Sequence, residues 1–510
     1  MQPSASAHAG QLSVLFTVCL AALILPLNFT SGAVAAPAIA RELGGSAQAL
    51  SWITNAFMLT FGCFLMAAGA LADEFGRKKI FIAGVSGFAV LSLLQSFSTS
   101  VLWIDLLRGA QGIAAAAALA GGSAALAQEF EGRARTRAFS LLGTSFGVGL
   151  AFGPFLAGLL ITHFGWRSVF ISATVIALLA VITGVFKMRE SRNPDAVGLD
   201  WPGTITFTLM LALLTWALMA IPEYGLQSLH VLGMLVGTAL LLALFIAIEL
   251  RVRHPMLDLS LFRFPRFIGV QVLPLSTGFC YVVLLIILPT LFIGIVGMSE
   301  VQAGLMMMAL SLPMLVIPLI AAWLTHWVSA RLLCTAGLLV ATTGLWWLSI
   351  AVNAQNMPQM ILPMLLIGTG VSLPWGLMDG LSVSVVPKER AGMATGIFST
   401  TRVAGEGLSL AMVAAMLAAF VYNGLAANFP ESALSQVSQR LATGDLTQAL
   451  TLLPEGKVDQ LQQIYASALH NVLLTLAAIT LISAVVVMAS LTGKETATEA
   501  VTEGQNDLLP

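Results

Sequence analysis

The sequence predicts an all-α integral membrane protein with about fourteen transmembrane helices, on three observations. Composition comes first. Of the 510 residues, 58% are hydrophobic and only 9% are charged, and the mean hydropathy is +0.92. That leaves too little polar surface to cover a soluble core. Second, apolar runs long enough to cross the hydrocarbon core, about 20 residues each, recur along the whole chain. They fall at 11–36, 49–72, 80–99, 101–126, 138–162, 167–187, 202–222, 229–250, 268–296, 302–325, 331–352, 359–385, 393–421 and 467–491. Third, the basic residues alternate between connections. Arg77, Lys78 and Lys79 follow span 2; Arg133, Arg135 and Arg137 follow span 4; Lys187, Arg189 and Arg192 follow span 6; Arg251, Arg253, Arg263 and Arg266 follow span 8. Arg331, Lys388 with Arg390, and Lys494 continue the series after spans 10, 12 and 14, whereas the odd-numbered spans are followed by only Arg41, Arg167, Arg440 and Lys457. Both termini are therefore expected in the cytoplasm. One missed span would reverse the sign of every later loop.

Span 1 lacks Lys or Arg in residues 1–10 and is long for a signal sequence, so a retained span is favoured over a peptide cleaved near Ala33-Val34-Ala35. Span 1 contains Leu27-Asn28-Phe29-Thr30-Ser31-Gly32 and, further on, Pro37. Span 2 runs into a charged turn, Gly69-Ala70-Leu71-Ala72-Asp73-Glu74-Phe75-Gly76-Arg77-Lys78-Lys79. Span 4 carries Asp105 three residues before Arg108, then Gln111-Gly112. The two charges share a helical face and are costly inside a bilayer. A static pair that neutralises Arg108 and a coupling role are both open. Span 5 supplies Gly143, Gly147, Gly149, Gly153-Pro154 and Gly158. Small residues at that spacing let a neighbouring helix approach closely, and Pro154 bends the helix.

Gly198-Leu199-Asp200-Trp201-Pro202-Gly203 opens span 7, and Glu249 and then His254–Phe262 lead from span 8 to span 9. After span 10, His326 stands alone, without a second metal ligand at helical spacing, and is read as an interface residue. Span 12 holds Asp379 near its end, where it is either buried or snorkelling to the interface. Span 13 carries Arg402 and Glu406 one turn apart, close enough to meet. Residues 422–466 form the one long connection, and polar helical patterns around Ser432–Thr443 and Val458–Ser467 suggest a solvated helical hairpin on the outer face. The acidic tail at 494–510 is expected to be disordered.

These motifs resemble the major facilitator superfamily. The turn at Gly69–Lys79 resembles its loop between helices 2 and 3, Arg108 with Gln111-Gly112 its helix 4 motif, and Gly149, Gly153, Pro154 and Gly158 the antiporter motif of its exporters. The span 1 segment and the sequences flanking spans 7 and 9 resemble the fourteen-span drug:proton antiporter branch. Two departures stand out. Asn28 occupies the place of that branch's helix 1 carboxylate, and His326 the place of an acid in the second-half echo of the turn. The resemblance implies two six-helix bundles, 11–190 and 266–491, with two inserted helices at 198–252. It also implies a proton gradient rather than a bound cofactor as the energy source. Glu406, Asp379 and Asp105, in that order, with Arg108 and Arg402, are the proton-coupling candidates. Gly69, Asp73, Gly76 and Arg77 form a conformational latch between the halves, and Asn28 is a substrate-cavity candidate.

The implied activity is export of a small amphipathic compound across the bacterial inner membrane by a monomer. Export of an endogenous metabolite, lipid precursor or siderophore-like compound is the alternative within transport, and a non-transporting membrane sensor the alternative outside it. A formal charge of -1 argues against nucleic acid. No nucleotide-binding Gly-Lys-Ser/Thr loop, metal cluster or nucleophile with a base marks an enzyme. Cys19, Cys63, Cys280 and Cys334 are read as buried free thiols.

Overall fold

The computed structural model of the chain describes residues 5–130, 132–192, 200–225, 227–252, 255, 257, 259–354, 357–385, 391–429, 434–453 and 458–491. Several residues singled out above lie outside them, among them Gly198, Arg253, His254, Asp258, Lys388, Arg390, Lys457 and the tail.

Among the described residues there is no strand, and fourteen helices are long and apolar enough to cross a membrane. They are spans 1 (Gly10–Leu43), 2 (Ala49–Phe75), 3 (Arg77–Ser96), 4 (Val101–Glu129), 5 (Arg137–Phe164), 6 (Arg167–Lys187) and 7 (Trp201–Ile221). Then follow 8 (Leu229–Glu249), 9 (Pro265–Ile295), 10 (Glu300–Leu324), 11 (Ala330–Asn353), 12 (Met357–Ser382), 13 (Gly396–Ala426) and 14 (Val458–Ser490). The number and order match the expected runs. Two ends do not: span 1 passes through Pro37 to Leu43, and span 14 begins nine residues before the apolar run does. Proline is tolerated inside a packed membrane helix because neighbours and local adjustments satisfy the carbonyl it frees.

The chain marks its helix starts with short polar caps. Side chains of Ser46, Ser100, Asp200, Ser228, Ser299 and Ser329 accept backbone N–H bonds at the starts of spans 2, 4, 7, 8, 10 and 11. Ser299 and Gln302 complete a reciprocal capping box. Each satisfies a donor that a helix start leaves free, typically worth about 1 kcal/mol. Spans 9 and 10 are irregular. Span 9 is α-helical over Pro265–Thr277, π-helical over Gly278–Val282, α-helical over Leu284–Pro289 and π-helical again over Thr290–Ile295. Pro274 and Pro289 each remove one N–H from this span, which is one cause of its broken ladder.

Spans 1–6 pack chiefly on one another, as do spans 9–14. Within each group glycines carry the closest contacts. A Cβ at Gly121 would lie 2.7 Å from the Phe81 nitrogen, and one at Gly370 would lie 2.5 Å from the Ala341 nitrogen and 2.6 Å from the Gly337 carbonyl oxygen. In a bilayer, where no hydrophobic effect drives helices together, such close backbone packing supplies the association. Gly370→Leu is therefore expected to force spans 11 and 12 apart and to cost about 1–3 kcal/mol, read as a lowered unfolding midpoint in detergent.

The two groups meet along two lines: span 5 against spans 10 and 12, and span 2 against span 13. Spans 7 and 8 pair with each other, and span 7 lies against both span 2 and span 13. Cys63 Sγ contacts the Thr208 carbonyl (3.9 Å), and Trp52 and Trp216 meet edge to face. Asn55, Met58, Leu211, Thr215, Ala404 and Gly407 line a narrow crevice at this junction. Span 7 thus straddles the seam between the halves. Cys63, Cys280 and Cys334 are buried free thiols, while Cys19 is only half-buried.

The 422–466 connection differs from the expected hairpin. It holds helices Leu434–Ala442 and Leu446–Leu452, and Val458 onward belongs to span 14, because no breaker separates that polar turn from the apolar run. Nor is it a solvated cap throughout. Leu434, Val437 and Leu441 are buried, Gly294 of span 9 abuts the backbone of Gly444, and Gln462 donates to the Ile295 carbonyl (2.8 Å).

Candidate functional site

The charged turn between spans 2 and 3 is built on Gly76, whose φ of 117° lies in the region that favours glycine. Arg77 donates from Nε and Nη2 to Asp73 Oδ1 (3.0 and 2.8 Å) and from Nη1 to Gln128 Oε1 at the end of span 4. The Arg77 N–H donates to the Ser191 carbonyl (3.0 Å), and Lys78 donates to Glu190 Oε1 and to the Val185 carbonyl. All of these partners belong to the first half or to the chain just after it. The expected bridge between halves is therefore not made by these bonds. A Cβ at Gly69 would meet open space.

On the opposite face the halves do touch through charge. Arg41 at the end of span 1 pairs with Glu300 at the start of span 10. A Cβ at Gly158 would lie 2.5 Å from the Glu300 carbonyl oxygen, and one at Gly304 would lie 3.2 Å from the Phe155 Cα. Ser311 Oγ donates to the Ala151 carbonyl (2.5 Å). The remaining antiporter-motif glycines face span 1, with Gly149 against the Leu23 carbonyl and Gly153 against Thr30. His326 lies exposed at the end of span 10, its Nδ1 2.8 Å from the Trp323 carbonyl.

Two charged clusters are buried within the bundle. In the first half Arg108 is 0% exposed. Its Nη1 donates to Asn28 Oδ1 (2.5 Å) and Gln111 Oε1 (3.0 Å), its Nε to the Ile53 carbonyl (2.9 Å) and its Nη2 to the Asn28 carbonyl (3.3 Å). Gln111 in turn donates to Ser92 Oγ and accepts from Gln95. The ring of Phe57 lies 5.2 Å from the guanidinium carbon, and a Cβ at Gly32 would come within 2.9 Å of it. No hydrogen bond joins Arg108 to Asp105, whose Oδ1 is buried without a hydrogen-bond partner. The guanidinium reaches across to span 1 instead, where Asn28 and the absence of a side chain at Gly32 make room for it.

In the second half Arg402 does not turn to Glu406. Its Nη1 lies 2.9 and 3.0 Å from the two oxygens of Asp379 on span 12. Within one helix, a base preceding an acid by four is the less favourable order, so a carboxylate on the facing helix prevails. Asp379 is 5% exposed and so does not snorkel. Glu406 is 1% exposed, and both its carboxyl oxygens are without hydrogen-bond partners. It faces the first π-helical segment of span 9, where a Cβ at Gly278 would sit 3.5 Å from the Glu406 Cα. Span 5 closes the cluster from the first half: the Phe146 ring lies 4.6 Å from the Arg402 guanidinium carbon, and Trp375 Nε1 donates to the Gly143 carbonyl (3.0 Å). The structure thus brings Asp379, Arg402 and Glu406 into one buried cluster at the seam and Asn28, Arg108 and Asp105 into the region of another.

Sequence reasoning missed Phe146, Trp375 and the Ser92–Gln95 support of Gln111. Ser92 and Gln95 carried a signal, as polar residues inside an apolar run usually have partners or a function. Phe146 and Trp375 carried none, because aromatic residues are common in every span. The buried Gln271, which has both side-chain polar atoms unpartnered on span 9, was legible by the same rule and also overlooked.

A family model for the Major Facilitator Superfamily matches residues 18–410. The chain belongs to that superfamily. It is 30% identical over 409 residues to the multidrug resistance protein Stp of Mycobacterium tuberculosis (strain CDC 1551 / Oshkosh), which covers 80% of this chain and 74% of that protein. It is 28% identical over 452 residues to the tetracenomycin C resistance and export protein of Streptomyces glaucescens, covering 86% and 82% respectively. In fold it is similar to an inward-facing bacterial homologue of the human lysosomal transporter Spinster, with a TM-score of 0.60 at 15% identity over 94% of this chain and 96% of that one. This major facilitator is accordingly an all-α, multi-pass membrane transporter with the superfamily's fold.

Proposed function

We propose that this major facilitator exports small amphipathic compounds by alternating access, driven by proton entry. The observation that carries the proposal is Glu406, a carboxyl buried at the seam without a partner beside an Arg402–Asp379 ion pair. Ionisable groups inside a membrane bundle are expensive and mark coupling or substrate paths. Here Arg402 has one carboxylate in hand and a second one turn away. A proton on Asp379 weakens its hold on Arg402, and Glu406 then offers the guanidinium a second partner. Such an exchange gives two arrangements of spans 12 and 13, which is what a coupled conformational change requires.

Relatives named for multidrug resistance and antibiotic export support the direction of transport. The basic residues of the even-numbered connections support a cytoplasmic Gly69–Lys79 face, with the Arg41–Glu300 contact on the outer side. Because span 1 offers the amide of Asn28, held by Arg108, rather than a carboxylate, neutral and anionic amphiphiles are favoured over cationic ones as cargo.

The test is proton movement in inverted vesicles loaded with acid. Addition of cargo from a panel of cationic, neutral and anionic toxic compounds is expected to discharge the gradient, and Glu406→Gln is expected to abolish that discharge. A Glu406→Gln protein that still accumulates cargo against its gradient would remove Glu406 from the coupling path.

A further inference from the structure

The ion pair of spans 12 and 13 belongs to the second half, yet much of its cover comes from the first. Phe146 of span 5 lies against the Arg402 guanidinium. Gly143 sits so close to Asp379 that a Cβ there would overlap the carboxylate oxygen, and one at Gly147 would lie 2.6 Å from Trp375 Nε1. Trp375 is 0% exposed and donates its indole N–H to the Gly143 carbonyl, between halves, at 3.0 Å. One face of span 5, read every three to four residues, therefore receives in turn Asp379, Arg402 and Trp375. Two glycines and a flat ring make that face smooth enough for the charged pair to be pressed against it.

We infer that Gly143, Phe146 and Gly147 of span 5, with Trp375 of span 12, form a gate that controls water access to the Arg402–Asp379 pair. Sliding or tilting span 5 away from span 12 breaks the indole bond and lifts the phenyl ring from the guanidinium. The pair then loses its apolar cover at the moment the halves part. In the closed arrangement the pair is dry, so its mutual attraction is strong; once wetted, the same two charges hold each other weakly. These four are positioning residues: Gly143 and Phe146 lie against the coupling pair, Gly147 and Trp375 hold span 5 to span 12 beside it, and together they decide when the pair meets water. That the water reaching the pair carries the transported proton rests on the proton-coupled reading proposed above. The gate itself does not rest on it.

The test uses thiol accessibility, which needs neither cargo nor a proton gradient. Ser382 is 0% exposed and its hydroxyl donates to the Asp379 carbonyl (2.7 Å), so Ser382→Cys in a background free of the four native cysteines reports on this buried region. A membrane-impermeant methanethiosulfonate reagent is expected to label it slowly. Phe146→Ala is expected to raise the labelling rate by about tenfold or more, the scale set by losing one desolvated cation–π contact. Phe146→Tyr keeps a ring over the guanidinium and is expected to restore slow labelling. Trp375→Phe, which removes only the indole N–H, guards against misfolding of the alanine variant and is expected to raise labelling as well. Unchanged labelling in folded Phe146→Ala and Trp375→Phe proteins would overturn the gate. Vesicles in which cargo fails to discharge the proton gradient, while labelling responds as expected, would instead overturn the coupling and leave the gate standing.

Discussion

Asp379→Ala is expected to destabilise the protein by about 3–5 kcal/mol, whereas the double replacement Asp379→Leu with Arg402→Met is expected to recover most of that loss. The reason lies in the surroundings of the pair rather than in its attraction. Arg402 is 1% exposed, its Nε already lacks a partner, and the neighbouring carboxyl of Glu406 makes no hydrogen bond to it. Without Asp379 the guanidinium keeps its charge and loses its hydrogen-bonded counter-charge; the Phe146 and Phe398 rings stay against it, and Glu406 can take over only if spans 12 and 13 rearrange. An uncompensated buried cation is what costs so much, and removing both charges removes that cost. Unfolding midpoints of the three proteins in one detergent check the ordering. The double variant is expected to lie close to the native protein in stability and to be inactive in transport, which separates the structural from the functional use of the pair. A single alanine variant as stable as the double one would contradict this account.

The second large effect is expected at Asn28. Asn28→Ala removes the acceptor for Arg108 Nη1 and should cost about 1.5–3 kcal/mol, the range for a hydrogen bond to a charged group. Asn28→Asp should do the opposite and raise the unfolding midpoint. The present amide leaves its Nδ2 buried without a partner, and the Arg108 side chain makes no hydrogen bond to an acid. A carboxylate would replace the orphaned donor with a second acceptor and compensate the charge. The same variant tests the cargo proposal, since a carboxylate on span 1 is expected to shift the transported panel towards cations. Destabilisation by Asn28→Asp equal to that of Asn28→Ala would show that Arg108 gains nothing from a counter-charge.

Much of this molecule was legible from its residues. Helix number and order followed from apolar length and from the alternation of basic loops, because the bilayer imposes both on any chain that crosses it. Helix ends were less legible. Span 1 was expected to end at 36 and continues to Leu43, and the polar start of span 14 looked like part of a separate hairpin. Partnerships between helices were the least legible. Arg402 and Glu406 show their i,i+4 spacing in the sequence, whereas Asp379 lies 23 positions away and becomes the partner only through the packing of spans 12 and 13. The glycines of span 5 announced close packing but not what would be packed. Gly149 and Gly153 receive span 1, Gly158 receives span 10, and Gly143 and Gly147 receive span 12. One small-residue stripe thus serves three neighbours, a division that depends on helix crossing and not on spacing.

Span 7, lying across the seam with Trp52 and Cys63 of span 2 on one side and Ala404 and Gly407 of span 13 on the other, makes spans 7 and 8 more than an appendage. The parting line between the halves is bridged there by a third body, so under the alternating access proposed above each stroke would shear that helix along at least one of its two footings. On that reading spans 7 and 8 act as a brake on the stroke, and a chain shortened by removing residues 198–252 would be expected to lose that resistance together with its shield against lipid.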